Sequence, residues 1–420
     1  MDLKSAYRSI PIKKECYELT GIQWLFGDST VPMHLFDAKL PFGAAKSCYI
    51  FQSVTDAVCR ILLHHGYRVL FYIDDFICVG DSEVSCKACY DYLIEMLKSL
   101  GLLINWKKVS EPVRVIQFLG VQIDCEMRTL SLPDRKVEEV RDLVKSSFGK
   151  RKLKKVELQR LLGKLNWAAR VIRGGRTFMR SLFNLLLKVR ESYHYVRISI
   201  EARADLLWWT EGLDRFNGTC SFKCDIPAPL FSFATDACDL GGGGYLDGDW
   251  FFAAWLSDFP EIADRHINEK ELFAVVLALR RWGHVLRGTH VRIRSDNSAT
   301  IAALNKSTSR SVSLMPHIRE IFWLCVHYDI AVTAVFIPGK FNTVADRISR
   351  LLCYADACDA RLLLAGFTNA LVVCNQNMSL TTFLLLQIFW TRTMNVYARR
   401  PLDSRGKPWL NRLSQRIGRS

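Results

Sequence analysis

Two adjacent aspartates, Asp74 and Asp75, stand between apolar runs at residues 69–73 and 76–79. Acids inside an apolar hairpin cost free energy unless a cation or a partner compensates them. An exposed turn is the plain alternative, but turns favour Gly, Asn or Pro, and none is present here. Asp2, in MDLKSAYRSIPI, opens another strand-like run and offers a third carboxylate. Three carboxylates from neighbouring strands suit two hard divalent cations. Such a pair drives phosphoryl transfer by activating an attacking 3′-hydroxyl and stabilising a leaving pyrophosphate.

A second set lies further on. Asp236 sits in FATDAC, Glu271 in INEKELFAVVLALRRW, Asp296 in VRIRSDN and Asp346 in GKFNTVADRISR, with gaps of 35, 25 and 50 residues. Asp236 and Asp296 each follow a strand pattern, whose end can aim a carboxylate at a shared point. Glu271 opens a helix. Each acid alone reads as a cap or a surface residue; the set is what suggests a site. Glu269 is the weaker choice for the glutamate, and reads as a first-turn acid facing the helix dipole.

Elements must hold these acids in place. Residues 1–132 alternate strand and helix patterns: VLFYIDDFICVG, then CKACYDYLIEMLKSLG, then IQFLGVQID. That order predicts an α+β domain. Residues 133–190 read as helical and basic, with Leu158, Leu161, Leu162 and Leu165 at i, i+3, i+4, i+7 forming one apolar face. A connector with Trp208 and Trp209 spans 191–229. From 230 to 352 the pattern restarts: LFSFATDA as a strand, residues 241–244 as a glycine turn, and GDWFFAAWL as the hairpin partner. An amphipathic helix at 268–282 and the strands VRIRSDN and IAVTAVFIPG follow, which predicts a separate α/β core. Residues 353–420 form a basic tail without assigned structure.

Composition narrows the class. The 420 residues are 50% hydrophobic and 24% charged, which excludes a disordered chain. The formal net charge of +15 is concentrated. Residues 131–190 carry 17 Lys/Arg against 5 Asp/Glu, and residues 391–420 carry 8 against 1, with Arg399, Arg400 and Arg405 in the tail. A polyanion-binding face predicts such clustering; a solvated helix surface is the plainer reading. The 14 cysteines include a lone CxxC at Cys86 and Cys89 and a lone CxxxC at Cys220 and Cys224, neither paired at zinc-ligand spacing. A reduced, intracellular chain in nucleus or cytoplasm is expected, neither secreted nor in a membrane.

MDLKSAYRSIPI, LPFGAAKS, FYIDDF, INWKK and FLGVQI stand in the order of the palm motifs of reverse transcriptases, and the chain resembles that family. The resemblance implies that Asp2, Asp74 and Asp75 are the polymerase's metal-binding aspartates. Tyr7 would screen the sugar 2′ position and Lys108 would lie near the incoming nucleotide. Phe118, Leu119 and Gly120 would be the primer grip. The basic segment would be a thumb whose Lys150, Arg151, Lys152, Lys154 and Lys155 meet phosphates without sequence choice. The later acids resemble the Asp, Glu, Asp, Asp site of ribonuclease H, where two Mg²⁺ or Mn²⁺ about 4 Å apart direct water at an RNA phosphodiester. The 2′-hydroxyl tells such a site RNA from DNA.

IPI after the first motif, LLGKLNWAARV, INEKELFAV and PGKFNTVADRISR resemble the DIRS group of tyrosine-recombinase retrotransposons. The resemblance covers about residues 1–352. It implies an α+β polymerase palm with partial fingers and a helical thumb, followed by an α/β ribonuclease H-like domain. The implied partners are an RNA template, a DNA primer, RNA–DNA hybrid and dNTPs, with other products of the same element as further partners. Two departures stand out. The family's fingers segment precedes the Asp2 motif and is not in this sequence, and Phe336 stands where relatives often have histidine. The expectation is a polymerase that depends on sequence outside this chain beside an intact ribonuclease H. The alternative is a decayed copy that binds nucleic acid, with ribonuclease H as its only activity.

Overall fold

The computed structural model describes residues 1–27, 30–221 and 229–354. The tail expected at 353–420, with its arginine cluster, lies outside the described residues from 355 onward. The chain divides into two compact units, Met1–Thr129 and the residues from Leu130 onward.

The first unit holds β1 (Ile22–Trp24), β2 (Met33–Leu35), α1 (Ser47–His64), β3 (Arg68–Tyr72), β4 (Asp75–Val79), α2 (Glu83–Ser99), β5 (Val115–Phe118) and β6 (Val121–Asp124). Helix α1 buries Phe51, Thr55, Val58, Cys59 and Leu62, one stripe at helical spacing. They meet Leu3, Phe76, Leu93, Leu97 and Ile104 in one core. Each fully buried Phe or Leu contributes roughly 1.5–3 kcal/mol. Ser82 and Ser85 close a capping box on α2, which fixes where that helix starts after β4. β3 and β4 form a hairpin in which Tyr72 pairs with Asp75. Ile73 and Asp74 make its two-residue turn, Ile73 in the left-handed region at φ 57°.

The second unit begins with β7 (Thr129–Ser131), α3 (Asp134–Phe148), β8 (Lys152–Lys154), α4 (Lys155–Ala168), α5 (Arg180–Leu186), β9 (Tyr195–Arg197), α6 (Ile200–Phe216) and β10 (Cys220–Ser221). Leu158, Leu161, Leu162 and Leu165 are all buried. The segment at 133–190 is not helical throughout, because β8 interrupts it and pairs antiparallel with β9. In that strand Leu153 is buried while Lys152 and Lys154 are exposed. Alternation over three residues is too short to stand out among neighbouring helices.

The rest of the unit is an α/β layer: β11 (Phe231–Ala237), β12 (Gly241–Leu246), β13 (Asp249–Ala254), α7 (Trp255–Asp258), α8 (Pro260–Ala263), α9 (Ile267–Trp282), β14 (His290–Ser295), α10 (Ser298–Lys306), α11 (Met315–His327), β15 (Ala331–Phe336) and α12 (Thr343–Ser349). The five strands lie in the order β13-β12-β11-β14-β15. β12 is antiparallel to β11 and β13, whereas β14 runs parallel to β11 and β15.

Residues 241–244 are not a turn; they are the first four residues of β12. A Cβ on Gly242 would lie 2.4 Å from the Trp255 ring, and one on Gly243 would lie 2.3 Å from Ile348. Both faces of the strand are covered so closely that only glycine fits. Helix α9 also departs from expectation. Every residue from Glu269 to Leu279 is buried, so it is a central helix rather than an amphipathic one.

Candidate active site

β11 and β14 are adjacent and parallel, so Asp236 near the end of one and Asp296 just past the other point to the same edge of the sheet. α9 begins beside that edge and adds Glu271. One oxygen from each of Asp236, Glu271 and Asp296 lies within 4.8 Å of the others. Among the described residues no other set of three acids, cysteines or histidines meets that spacing. Asp236 and Glu271 are buried, and Asp296 is half-buried.

Three acids this close repel one another, and burial adds to the cost of ionising them. Burial, with Asp236 and Asp296 close by, pushes the Glu271 carboxyl up to about 9. Burial also pushes Asp236 up to about 6, with repulsion from Asp296 and Asp346, while the Ser349 hydroxyl opposes the rise. Oε2 of Glu271 is buried with no hydrogen-bond partner. A buried, unpaired carboxylate oxygen on a residue clustered with two other acids fits a divalent cation, whose charge would satisfy all three.

Gly339 completes the rim: a Cβ there would lie 2.9 Å from Oδ2 of Asp296. Asp346 is not in the trio. It lies in the first turn of α12, where its Oδ1 accepts from Arg350 Nε at 2.6 Å. It is close enough to repel Asp236. Glu269, the weaker choice, is buried and faces His317 at 3.4 Å and Arg265 at 3.9 Å. Phe336 is exposed at the end of β15, across from Ser295.

The acids of the first unit are arranged differently. Asp2 forms an isolated bridge with Asp75, and Leu3 N donates to Asp74 O at 3.1 Å, so the Asp2 segment lies against the β3–β4 turn. Asn105 Nδ2 donates to Asp2 Oδ2 at 2.8 Å, and Lys108 Nζ approaches the same oxygen at 3.3 Å. Burial raises the Asp75 carboxyl above its ordinary value, with repulsion from Asp2 and Asp74 adding to it. Gln52 Oε1 accepts from Ile73 N at 2.8 Å and props the strained turn. Tyr7 is clamped edge-on by Phe42 at 5.0 Å and Phe51 at 5.4 Å.

Phe118, Leu119 and Gly120 form the tight β5–β6 hairpin. Phe118 pairs with Val121, and both turn residues have positive φ, 49° and 81°. A bulky residue in the left-handed region is strained, and here Leu119 is left exposed.

The basic residues surround β8. Lys150 pairs with Glu157 at 2.7 Å, and Lys155 Nζ donates to the Arg190 carbonyl. Lys152 and Lys154 lie 4.7 and 5.6 Å from the centre of the Tyr195 ring. Arg151 is exposed. Strand β8 therefore presents cations over an aromatic face, rather than along a helix as the sequence suggests.

Sequence reading did not single out Asn105, Gln52, Gly339 or Ser349. Asn105 and Gly339 stand in the INWKK and IPGK stretches, a signal that was present. Ser349 likewise stands in GKFNTVADRISR, whereas Gln52 is an ordinary helical position with no local mark.

The reverse transcriptase (RNA-dependent DNA polymerase) family profile matches residues 1–123. The profile of the RNase H-like domain found in reverse transcriptase matches residues 229–320, which include Asp236, Glu271 and Asp296. The chain is 24% identical over 360 residues to an enzymatic polyprotein of cauliflower mosaic virus, covering 83% of this chain and 49% of that protein. It is 22% identical over 369 residues to the retrovirus-related Pol polyprotein from transposon opus of Drosophila melanogaster, covering 84% of this chain and 34% of that one. The chain thus spans half or less of the length of these curated relatives. A solved foamy viral protease-reverse transcriptase in complex with double-stranded DNA aligns with a TM-score of 0.47 and 18% identity, over 80% of this chain and 56% of that one. Two stretches of the chain thus match a reverse transcriptase model and an RNase H-like domain model in that order, and the chain is similar to polyproteins of a virus and of a transposon.

Proposed function

We propose that the chain is the RNA-directed DNA polymerase and ribonuclease H part of a DIRS-like retroelement. It would copy an RNA template from a DNA primer with dNTPs and cleave the RNA of the resulting hybrid. The observation that carries this reading is the convergence of Asp236, Glu271 and Asp296, with one Glu271 oxygen buried and unpaired. The two family matches, over residues 1–123 and 229–320, support it.

In the nuclease half, Asp236, Glu271 and Asp296 would hold divalent cations, Mg²⁺ or Mn²⁺, with Asp346 at the edge. In the palm, Asp2, Asp74 and Asp75 would do so. The ions supply charge stabilisation at a phosphate and an activated oxygen nucleophile, water in one half and a primer 3′-hydroxyl in the other. This chain's residues do the rest. Burial of Glu271 keeps bulk water from competing for the acids. Tyr7, immobilised between two phenylalanines, would limit space at the sugar 2′ position. Lys108 neutralises Asp2 and carries a mostly exposed ammonium that a triphosphate can attract. Leu119 and Gly120 would meet the primer, and Arg151, Lys152 and Lys154 the phosphates of the hybrid.

The boundaries 1–132, 133–190, 191–229 and 230–352 are proposed for palm, thumb, connector and nuclease. No helix of the described residues is long and apolar enough to cross a membrane. We place the chain inside the cell, in nucleus or cytoplasm, because its cysteine spacings suggest neither a disulfide framework nor a zinc site.

The test of the polymerase half is primer extension on an RNA template with dNTPs and Mg²⁺, beside an Asp74→Asn control. Extension that the control loses supports the reading. Equal extension by both contradicts it for that half, and none under any metal leaves ribonuclease H as the only activity of this chain.

A further inference from the structure

Ser349 lies one helical turn beyond Asp346 in α12 and is fully buried. Its hydroxyl donates to Oδ2 of Asp236 at 2.5 Å, across 113 residues of sequence. The carbonyl oxygen of Asp346 lies 2.8 Å away as the other acceptor for the same hydroxyl. The backbone of Ser349 is fixed as well: its carbonyl accepts from the Cys238 thiol at 3.0 Å. Helix α12 can approach this closely because Gly243 leaves room for Ile348, the residue before Ser349.

A carboxylate at a strand end can rotate about its last bond and present either oxygen, or both, to a cation. In Asp236 one oxygen is engaged by a buried donor on a helix that is itself seated on the sheet. We propose that Ser349 is the positioning residue of the nuclease centre: by holding Oδ2 of Asp236 it leaves Oδ1 to face Glu271 and Asp296, and it ties α12, with Asp346, to the trio. This inference rests on the nuclease reading above and deepens it. The Ser349 hydroxyl bonds Asp236 and the backbone of Asp346. Its effect passes through the orientation of Asp236, as the donors around metal-ligating side chains act generally.

Mn²⁺ serves as the probe, its free fraction counted by electron paramagnetic resonance with the full chain, without nucleic acid. An Asp74→Asn, Asp75→Asn background removes two of the three palm acids, and Asp296→Asn on that background defines loss of the site. Ser349→Ala should weaken Mn²⁺ binding by about tenfold, the low end for loss of such a supporting bond. Its thermal midpoint in chelator should fall by no more than the loss of one buried hydrogen bond explains, and Mn²⁺ affinity is read on the folded protein, where a merely structural role would leave it unchanged. Ser349→Cys, near in size and a weaker donor, should fall between. Mn²⁺ binding by Ser349→Ala equal to that of the parent overturns the proposal. If Ser349→Ala does not fold, the Cys variant decides: parental affinity overturns the proposal, and a loss upholds it. Hybrid cleavage by the unmutated chain is scored separately. Ser349-dependent Mn²⁺ binding without cleavage would contradict the nuclease reading and leave the positioning role intact. Cleavage with Ser349-independent binding would do the reverse.

Discussion

Arg319 on α11 donates to Oδ1 of Asp205 on α6 at 2.6 Å, while Oδ2 of Asp205 accepts from the backbone N–H of Ser181 at 3.0 Å. Asp205 is fully buried. The pair joins α6 to the α/β layer within the second unit. Around it Trp208 stacks on Phe178 at 4.4 Å and on Phe216 at 5.6 Å, and meets Phe322 edge-on at 6.0 Å. Thr177 also donates to the Ser307 carbonyl at 2.8 Å, and Arg173 to that of Ile330 at 3.0 Å. The ionised pair has lost much of its hydration, so the aromatic packing supplies the stability and the pair fixes the alignment.

Removing one partner leaves a buried charge. Arg319→Met should lower the unfolding free energy of the second unit by about 3–5 kcal/mol. The double variant Asp205→Leu, Arg319→Met should recover a large part of that loss. Urea unfolding of the full chain, followed by tryptophan fluorescence, measures both. A double variant no more stable than the single one would contradict this account of the pair.

Glycines separate close packing from open space. Gly243→Ala should cost about 1–3 kcal/mol, because its Cβ would meet Ile348 and the Phe251 carbonyl. Gly163, inside α4 with nothing near its Cβ, should gain roughly 1 kcal/mol on substitution by Ala. The opposite signs can be read from thermal midpoints of the two variants.

The acid trio makes stability depend on pH. Asp236 is pushed up to about 6 from 3.8, and Glu271 up to about 9 from 4.5. Between about pH 4 and 9 the folded chain therefore holds protons that the unfolded chain has released. Raising the pH through that window favours unfolding, so the metal-free protein should lose stability as pH rises. Mg²⁺ competes with those protons, and its stabilising effect should grow with pH. Thermal midpoints in chelator and in Mg²⁺ from pH 5 to 9 test this. Glu271→Gln should flatten the chelator curve; a curve that stays as steep would show that the slope arises elsewhere.

The basic strand should act through phosphates. Replacing Arg151, Lys152 and Lys154 by Gln should weaken hybrid binding alike for all sequences. It should also reduce the slope of log K against log salt by about one for each phosphate that is no longer neutralised. An unchanged slope would remove β8 from the nucleic-acid face.

Much of the α/β layer was legible because strand alternation and helix punctuation act locally. LFSFATDA, VRIRSDN and IAVTAVFIPG each became strands, and the acids at the ends of the first two met at one sheet edge. What could not be read was what lies across the fold. The glycines of β12 look like a turn until Trp255 and Ile348 are seen to cover both faces. The Ser349–Asp236 bond spans 113 residues, and no spacing rule reaches that far. Asp74 and Asp75 stand out by their apolar surroundings, but Asn105, which bonds Asp2, and Gln52, which bonds the Ile73 turn, come from other segments. Lys152 and Lys154 were found as charge, yet the three-residue strand that presents them was too short to show a period.

The most direct test of the central claim uses an RNA–DNA hybrid labelled on the RNA strand, incubated with Mg²⁺ and either the unmutated chain or Asp296→Asn. The unmutated chain should cleave the RNA of the hybrid and leave the same sequence as a DNA duplex intact. Asp296→Asn should bind the hybrid as tightly and cut at least a thousandfold more slowly, on the order of a lost metal centre. Equal cleavage by the two proteins would show that Asp236, Glu271 and Asp296 are not the site of the reaction.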